Sequence, residues 1–299
     1  MTRPNVPAAD ALLGHEYRVL DKGFVRLVDY LGGDARIVQA ARVSYQEGTK
    51  TVREDGALID YLVRHKHTSP LEQVVLSFHL KMPIFVARQW LRHRTARLNE
   101  ISGRYSVMRD EFYLPDAAQI RQQSAANKQG RSDEEVPAEL QARTLELLQS
   151  GQGNAYAEYQ ELLDEDVARE LARINLPLSL YTEMYWQIDL HNLFHFLRLR
   201  LDAHAQYEIR VYGEVMAELA RAVAPLAYRA FEEHILYAKT FSRSEMELLL
   251  EVVDREALEG ALKTSDLRKT RQREFLDKLS VSAKTPLYEE TKPNEKTPV

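Results

Sequence analysis

Apolar and polar side chains alternate without a break over residues 74–82, VVLSFHLKM. One set is apolar throughout and would share one face of a strand: Val74, Leu76, Phe78, Leu80 and Met82. The other set contains Ser77, His79 and Lys81 together with Val75. Because successive side chains of a strand point to opposite faces, this alternation predicts a half-buried strand of an antiparallel sheet.

Neighbouring patterns predict the other elements of the first part of the chain. VRLVDYLG (25–32) is rich in β-branched residues and precedes a second glycine, which is typical of a strand. Helical spacing of apolar residues is found in three segments: 34–45, 55–66 and 84–93. Asp34 is the predicted N-cap of the first helix, and Pro83 the end of the alternating strand. The segment 104–114 is predicted to be extended.

The second half of the chain is predicted to be mainly helical. Residues 118–154 are polar and poor in aromatic side chains, so we expect a long excursion that is partly helical. From about residue 155 to 240, apolar residues follow helical spacing over most of the segment.

A composition change near residue 241 predicts a charged C-terminal extension over 241–299. Ser244 and Glu247 have the spacing of a capping box for a helix over about 245–262. A second charged helix is expected over 265–279, and the last 18 residues are expected to be disordered.

Composition narrows the function classes. The 299 residues carry a net charge of −5, which argues against non-specific electrostatic binding of nucleic acid. No apolar run reaches the roughly 20 residues of a membrane helix, and no secretory signal is evident, so we expect a cytoplasmic protein without a membrane partner. The cysteine count is zero, which excludes disulfides, thiolate metal sites and a cysteine nucleophile.

Positive charge is nevertheless concentrated in RHRTARLNEISGRYS (92–106). Its cationic or titratable members are Arg92, His93, Arg94, Arg97 and Arg104. Cations at a helix C-terminus are favoured by the macrodipole, and one or two arginines would need no other explanation. This density, together with Ser102 and Gly103, favours a site for anionic ligands.

A second candidate lies in DLHNLFHFLRLRL (189–201). Its apolar stripe consists of Leu190, Leu193, Phe194, Leu197 and Leu201. The guanidinium of Arg200 needs a partner there, either in a structural salt bridge or in a ligand cavity, and the pattern leaves both open. His191 and His195 have metal-ligand spacing, but without a third ligand they are better explained as solvated or ligand-stacking histidines. Arg173, before Pro177, is a further cation at a helix end.

Several separated motifs resemble one family, the flavin-dependent thymidylate synthases. The stretch 92–106 contains RHR followed by seven residues and then serine, as in the signature of that family. The flanking motifs agree in order: HTSPLEQ (67–73), FVARQWLRHR (85–94), ARINLPLSLYTE (172–183) and LRLRLDAHAQYEIR (197–210). The resemblance spans roughly residues 20–235.

This resemblance implies the reductive methylation of dUMP to dTMP. Methylenetetrahydrofolate would be the carbon donor, FAD the hydride carrier and NADPH the reductant, without an enzyme thiolate. It implies an α/β fold of the α+β type: a central, mostly antiparallel sheet flanked by helices, with a largely helical second half. Residues 1–240 would form the catalytic domain of a homotetramer with active sites between subunits.

Site residues are carried over at the matching positions. Arg200 would be catalytic, lying against the uracil and favouring ionisation at N3. The residues implied to bind dUMP are Gln89, Arg92, Glu100, Ser102, Gly103, Arg104, Arg173 and Arg200. The residues implied to contact FAD are His67, Ser69, Arg92, His93, Arg94, Asp189 and His195. Arg97, Asp189 and His195 depart from the residues that many or some members carry.

Two other interpretations compete with an enzyme. A nucleotide- or RNA-binding module would use the same basic loop and would need further basic and aromatic patches along a groove. A structural oligomer with inert ion pairs would explain Arg200 but not the serine–arginine loop. Bound flavin would distinguish the enzyme from both.

Overall fold

The computed structural model describes residues 5–43, 52–125 and 128–279. The chain divides into two compact units, Met1–Ala238 and Lys239–Val299. In the described part of the first unit the strands are β1 (Tyr17–Val19), β2 (Gly23–Leu31), β3 (Val75–Pro83), β4 (Arg97–Glu100), β5 (Arg121–Gln123), β6 (Arg131–Glu135) and β7 (Tyr181–Asp189).

The central sheet has the strand order β1-β2-β3-β7-β4, and every neighbouring pair is antiparallel. β5 and β6 form a separate antiparallel hairpin. The predicted α+β architecture with an antiparallel central sheet is therefore confirmed.

Helices account for most of the remaining described chain. In the first unit they are α1 (Pro7–Asp10), α2 (Asp34–Arg42), α3 (Val52–Arg64), α4 (Ile84–Trp90), α5 (Ala138–Asp164), α6 (Arg169–Ala172), α7 (Leu190–Arg200), α8 (Tyr207–Val223) and α9 (Pro225–Phe231). Leu71–Gln73, Ala117–Gln119 and Arg173–Asn175 form 3-10 turns, and Glu232–Leu236 forms a π-helical turn. None of the helices described is long and apolar enough to cross a bilayer.

The alternating segment behaves as its pattern predicts. The side chains of Val74, Leu76, Phe78, Leu80 and Met82 are all fully buried. They lie under α4 and α8, which pack against β1, β2, β3 and β7. On the opposite face Lys81 is also buried, and its ammonium is compensated by an ion pair with Glu111 at 2.8 Å.

An aromatic cluster joins the sheet to the helices that carry the candidate site. Trp90 at the end of α4, Trp186 on β7 and Phe196 on α7 are buried, with ring centroids between 4.5 and 5.4 Å apart. Aromatic pairs at these separations contribute packing energy beyond the burial of area alone. The ends of α4 and α7 are thus fixed relative to each other.

Asp34 is not the N-cap of α2, contrary to the sequence prediction. Gly33 holds that position, and the Asp34 carboxylate accepts hydrogen bonds from the backbone amides of Leu226 and Ala227 at 2.8 and 3.0 Å. It therefore caps α9, which is remote in sequence but adjacent in space.

The prediction of an extended segment over 104–114 was wrong, and two strands of the central sheet, β4 and β7, were not predicted. β4 lies in the arginine-rich stretch 92–106, whereas residues 104–114 contain turns and a single bridge between Phe112 and Leu180. β7 lies inside the region expected to be mostly helical, and it is the central partner of β3 and β4.

The polar segment 118–154 contains the β5–β6 hairpin and the first part of α5, so its partly helical character is confirmed and a short hairpin is added. α5 begins well before residue 155, at Ala138. Only Gln152 and Tyr159 of this helix are buried, which explains why its sequence is so polar.

Three helices form the described part of the second unit: α10 (Arg243–Val252), α11 (Arg255–Thr264) and α12 (Lys269–Leu279). The capping box consists of Ser242 and Glu245, not Ser244 and Glu247. The expected single helix over 245–262 is interrupted, because Val253 is extended and Asp254 caps α11. The predicted charged helix over 265–279 is confirmed as α12, and the last 18 residues lie outside the described residues.

Candidate active site

The arginine-rich stretch begins in a turn at the end of α4. The buried indole of Trp90 anchors this turn, and the His93 amide donates to the Trp90 carbonyl at 3.0 Å. The turn points the His93 imidazole at Phe196, with ring centroids 4.8 Å apart. Arg92 and Arg94, on either side, remain exposed. Consecutive residues thus diverge, with one ring inside and two cations outside.

Arg200, the last residue of α7, reaches this turn. Its Nε donates to His93 Nε2 at 3.1 Å, and its Nη2 lies 3.0 Å from the same nitrogen. Nη2 also lies 3.5 Å from the carbonyl oxygen of Gln89 on α4. The partner that the sequence left open is therefore a neutral acceptor rather than a carboxylate, and the positive charge of the guanidinium remains uncompensated by these contacts.

His93 is held in its neutral form. Burial, followed by the positive charge of Arg200 and by His195, lowers the pKa of His93 from its ordinary value of 6.5 to about 4. Since a guanidinium is only a donor, His93 Nε2 must be the acceptor, which assigns the proton of the neutral ring to Nδ1. The ring orients Arg200 without cancelling its charge.

A titration tests this electrostatic arrangement. We expect the His93 ring in the ligand-free protein to stay neutral until the pH falls to about 4. Because the unfolded chain binds this proton more readily, His93 should also make the folded state less stable as the pH falls from 6.5 toward 4. The measurement is the pH dependence of the imidazole NMR signal, assigned by its loss in His93→Gln. Titration near the ordinary value would contradict the assigned arrangement.

A second cluster forms where the serine–arginine loop meets the end of α6. A Cβ on Gly103 would lie 3.0 Å from Arg173 Cδ and 3.1 Å from Met108 Sδ, so a larger residue would require these two side chains to shift by a few tenths of an ångström. Ser102 Oγ accepts from the Arg104 amide at 3.3 Å. The structure thus brings together three predicted substrate residues and the cation from a distant helix end.

Two carboxylates lie among the predicted dUMP residues: Glu170 pairs with one of them, and Glu100 is one of them. Glu170 pairs with Arg104 at 3.1 Å, but both side chains are more than half exposed, so solvent weakens this pair and Arg104 remains available to an anion. Glu100, at the end of β4, accepts from Thr182 Oγ1 of β7 at 2.6 Å. That bond fixes one carboxylate oxygen and leaves the other to a ligand.

A cavity of about 280 Å³ lies beside the Arg200 cluster and is lined by His195, which neighbours His93. Its apolar wall includes Leu62, Leu71 and Phe194. Its polar lining consists of Arg64, Lys66, His67, Thr68, His191, His195, Arg198 and His234. The His195 ring lies 6.1 Å from that of His93. An apolar wall with imidazoles and cations suits an aromatic, anionic ligand.

Asp189 has a structural contact of its own. It is the N-cap of α7, where its two carboxylate oxygens accept from the backbone and side-chain nitrogens of Asn192 at 2.9 and 2.7 Å. Its predicted flavin contact stays a prediction. No group of three or more His, Cys, Asp or Glu side chains in the described ranges is placed to hold a metal ion.

The predicted site residues therefore fall into two clusters and a cavity. Gln89, His93 and Arg200 meet in the first cluster, and Gly103 and Arg173 meet in the second. Within the described residues, no hydrogen bond or ion pair joins one cluster to the other. The side chains of Arg92, Arg94 and Ser69 are exposed, and the Arg92 amide donates to the Gln89 carbonyl at 3.4 Å.

Known proteins are similar in sequence to this chain over most of its length. A family model described as thymidylate synthase complementing protein matches residues 26–226. A flavin-dependent thymidylate synthase of Treponema denticola is 66% identical over 238 residues, which are 80% of this chain and 90% of that protein. One of Thermus thermophilus is 57% identical over 261 residues, 87% of this chain and 94% of that protein. The chain belongs to the flavin-dependent thymidylate synthase family.

A solved relative supports the family fold. PolB of Streptomyces cacaoi, a UMP/dUMP methylase whose crystal structure contains 5-Br dUMP, is 32% identical, with a TM-score of 0.66. The alignment covers 73% of this chain and 97% of that one. The family match includes every predicted site residue, from His67 to Arg200, and stops before the unit that begins at Lys239.

Flavin-dependent thymidylate synthase motifs did not reveal every residue that surrounds the first cluster. Gln206 hydrogen-bonds Gln89, and Glu208 is buried beneath it. Both residues lie in the 197–210 motif but were given no role there, although Glu208 also precedes the core residue Tyr212 by four positions on α8, where a carboxylate needs a partner. Arg131, which is that partner, lies in the polar hairpin and carried no recognisable signal.

Proposed function

We propose that the protein converts dUMP to dTMP by reductive methylation. The carbon donor is 5,10-methylenetetrahydrofolate, the cofactor is FAD and the reductant is NADPH. The observation that carries this proposal is the half-buried Arg200, held by neutral His93 beside the cavity. Membership of the flavin-dependent thymidylate synthase family supports the same reaction.

Arg200 provides electrostatic stabilisation. In the proposed complex its guanidinium lies against the uracil ring and stabilises negative charge that develops on the base, at N3. A preorganised cation in a partly dry site is more effective than the same group in water. His93 holds the guanidinium by its Nε2 and, because it is neutral, does not weaken the field that the base experiences.

The second cluster is suited to the nucleotide phosphate. Arg173, Arg104, Ser102 and the backbone at Gly103 supply guanidinium, hydroxyl and amide donors, which are the groups that bind phosphate oxygens. Gln89, Arg92 and Glu100 complete the proposed dUMP contacts. Burial of Gly103 against Arg173 is consistent with a loop formed for one ligand geometry rather than a flexible basic tail.

The residues around the cavity fit a flavin. His67, Ser69, Asp189 and His195, with Arg92, His93 and Arg94 at the neighbouring turn, would hold FAD. When bound, the flavin supplies the hydride. The apolar wall excludes water from the ring system, and the exposed arginines offer donors to the pyrophosphate. Since the chain contains no cysteine, the proposed route uses no enzyme thiolate.

A homotetramer with active sites between subunits, in the cytoplasm, completes the proposal. The two clusters are not bonded to each other within the described chain, which is consistent with sites assembled from two copies. Large apolar side chains are exposed on the segments that carry the second cluster: Tyr105, Leu171, Ile174 and Leu178. Exposed apolar surface of this kind is typical of a protein interface.

Product formation tests the proposed reaction. Purified protein is incubated anaerobically with dUMP, methylenetetrahydrofolate, FAD and NADPH, and dTMP is measured by chromatography. We expect dTMP only when all components are present, with FAD and NADPH omitted in turn as controls. Product without FAD would indicate a cysteine-dependent contaminant. No product from folded, flavin-loaded protein would contradict the proposal.

A further inference from the structure

A buried carboxylate lies under the first cluster, and the proposed reaction gives it no role. Glu208, in the first turn of α8, is 1% exposed and precedes the core residues Ile209 and Tyr212. A carboxylate at this depth is stable only when hydrogen bonds and an opposite charge compensate for lost hydration. The hydrogen-bond partners of Glu208 therefore indicate its role in the structure.

Three side chains from different elements satisfy this carboxylate. The guanidinium of Arg131, at the start of β6, donates to Oε1, and the Tyr113 hydroxyl donates to the same oxygen at 3.0 Å. Gln206 Nε2 donates to Oε2 at 2.9 Å. Burial alone would raise the pKa of Glu208, but the hydrogen bond and charge of Arg131, with the Gln206 amide, hold the pKa below its ordinary value.

An ionised Glu208 sets the direction of a chain of amides. A carboxylate only accepts hydrogen bonds, so the amide nitrogen of Gln206 must face it. The amide oxygen of Gln206 then faces Gln89 and accepts from Gln89 Nε2. The Gln89 nitrogen is engaged in this way, which leaves its amide oxygen as the end of the side chain that can accept from a ligand.

We infer that Glu208 and Arg131 are positioning residues, which act through Gln206 to fix the orientation of the Gln89 amide toward the nucleotide. This inference rests on the proposed function, because it takes Gln89 to be a dUMP contact. The fixed acceptor suits an N–H or O–H donor of the nucleotide. A freely rotating glutamine would present either its amide oxygen or its amide nitrogen to the nucleotide.

The same contacts give the β5–β6 hairpin a role. Arg131 also donates to Gln119 at 3.1 Å, so its guanidinium is held by the segment before β5 as well as by Glu208. The hairpin therefore delivers one fixed cation to the buried carboxylate. Its polar sequence, which matches no family motif, is consistent with that single task.

Glu208→Gln is the most informative variant. It keeps the size of the side chain, and Arg131 is one-third exposed, so water can solvate the guanidinium that loses its partner. An amide at position 208 can donate as well as accept, so Gln206 and Gln89 are free to reverse. We expect dUMP binding to flavin-loaded enzyme to weaken by about tenfold, with flavin affinity unchanged.

A double-mutant cycle separates orientation from general damage to the fold. Gln89→Ala should weaken dUMP binding, and adding Glu208→Gln to that variant should change it no further, because the amide that Glu208 orients is already gone. Arg131→Lys should retain nearly normal dUMP binding, since it keeps the positive charge beside Glu208. Arg121→Ala is the matched control, because Arg121 lies in the same hairpin but donates to the backbone carbonyls of Ala118 and Asp133.

The measurement is the dissociation constant of dUMP by isothermal titration calorimetry, with thermal melting to establish that each variant is folded. Independent, additive effects of Glu208→Gln and Gln89→Ala would overturn the inference, as would unchanged binding in Glu208→Gln. If Glu208→Gln does not fold, the same cycle with Arg131→Gln decides. Failure of the wild-type protein to bind dUMP would instead overturn the proposed function, and this inference with it.

Discussion

Arg200→Ala should lower the rate of dTMP formation by about 10²–10³-fold, the usual effect of removing a preorganised group that stabilises developing charge. The guanidinium lies at the edge of the core rather than inside it, so the protein should remain folded and should still bind flavin. Single-turnover formation of dTMP, measured by rapid quench, reports the loss directly. A thermal melt of the same preparation establishes that the variant is folded.

Conservative and distant substitutions make this result interpretable. Arg200→Lys keeps the charge but loses the two-nitrogen contact with His93, so it should recover only part of the rate. Arg143→Ala should have no effect, because Arg143 is exposed on α5 and pairs with Glu146. Near-normal turnover in Arg200→Ala would exclude the catalytic role assigned to this residue.

The elements predicted correctly are those whose burial is set by their own sequence. β3 has one face on the core and one toward polar groups, so the alternation from Val74 to Met82 is sufficient to predict a half-buried strand. β7 alternates too, with Met184, Trp186 and Ile188 buried, but it lies between two segments of helical spacing, and no strand was predicted there. β4 is a short, exposed edge strand without any apolar pattern, so only its pairing with β7 identifies it.

The sequence suggested the candidate site residues but not the interactions among them. The need of Arg200 for a partner followed from the apolar stripe of α7, whereas the identity of the partner depended on a turn more than 100 residues earlier. The neutrality of His93 depends on burial, which spacing along the chain does not reveal. The same holds for Asp34, whose carboxylate is used by α9 rather than by its own helix.

Local sequence patterns therefore predict elements and candidate residues, whereas tertiary contacts determine which of those residues interact. The family resemblance grouped Ser102, Gly103 and Arg173 as proposed dUMP contacts, and in the structure Gly103 lies close to the Arg173 side chain. The Glu208 network arises from contacts between a hairpin, a loop and a helix that no single segment encodes.

Gly23→Ala should be the most destabilising small substitution in the sheet. Gly23 opens β2 opposite Val19, and a Cβ there would overlap the Tyr212 hydroxyl and lie 2.7 and 2.8 Å from the carbonyl oxygens of Val19 and Lys81. Those oxygens belong to the backbone of neighbouring strands and cannot move independently. We expect the free energy of unfolding to fall by about 3 kcal/mol, measured by chemical denaturation.

Two further variants locate the cause of that loss. Tyr212 is fully buried and donates to the Lys81 carbonyl at 2.7 Å, so adding Tyr212→Phe to Gly23→Ala removes one clash but leaves both backbone contacts. The double variant should therefore regain only part of the lost free energy of unfolding. Gly151→Ala, in the interior of α5 with open space around it, should instead stabilise the protein by about 0.5–1 kcal/mol. Equal effects of Gly23→Ala and Gly151→Ala would show that close approach at the β1–β2 turn does not constrain this position.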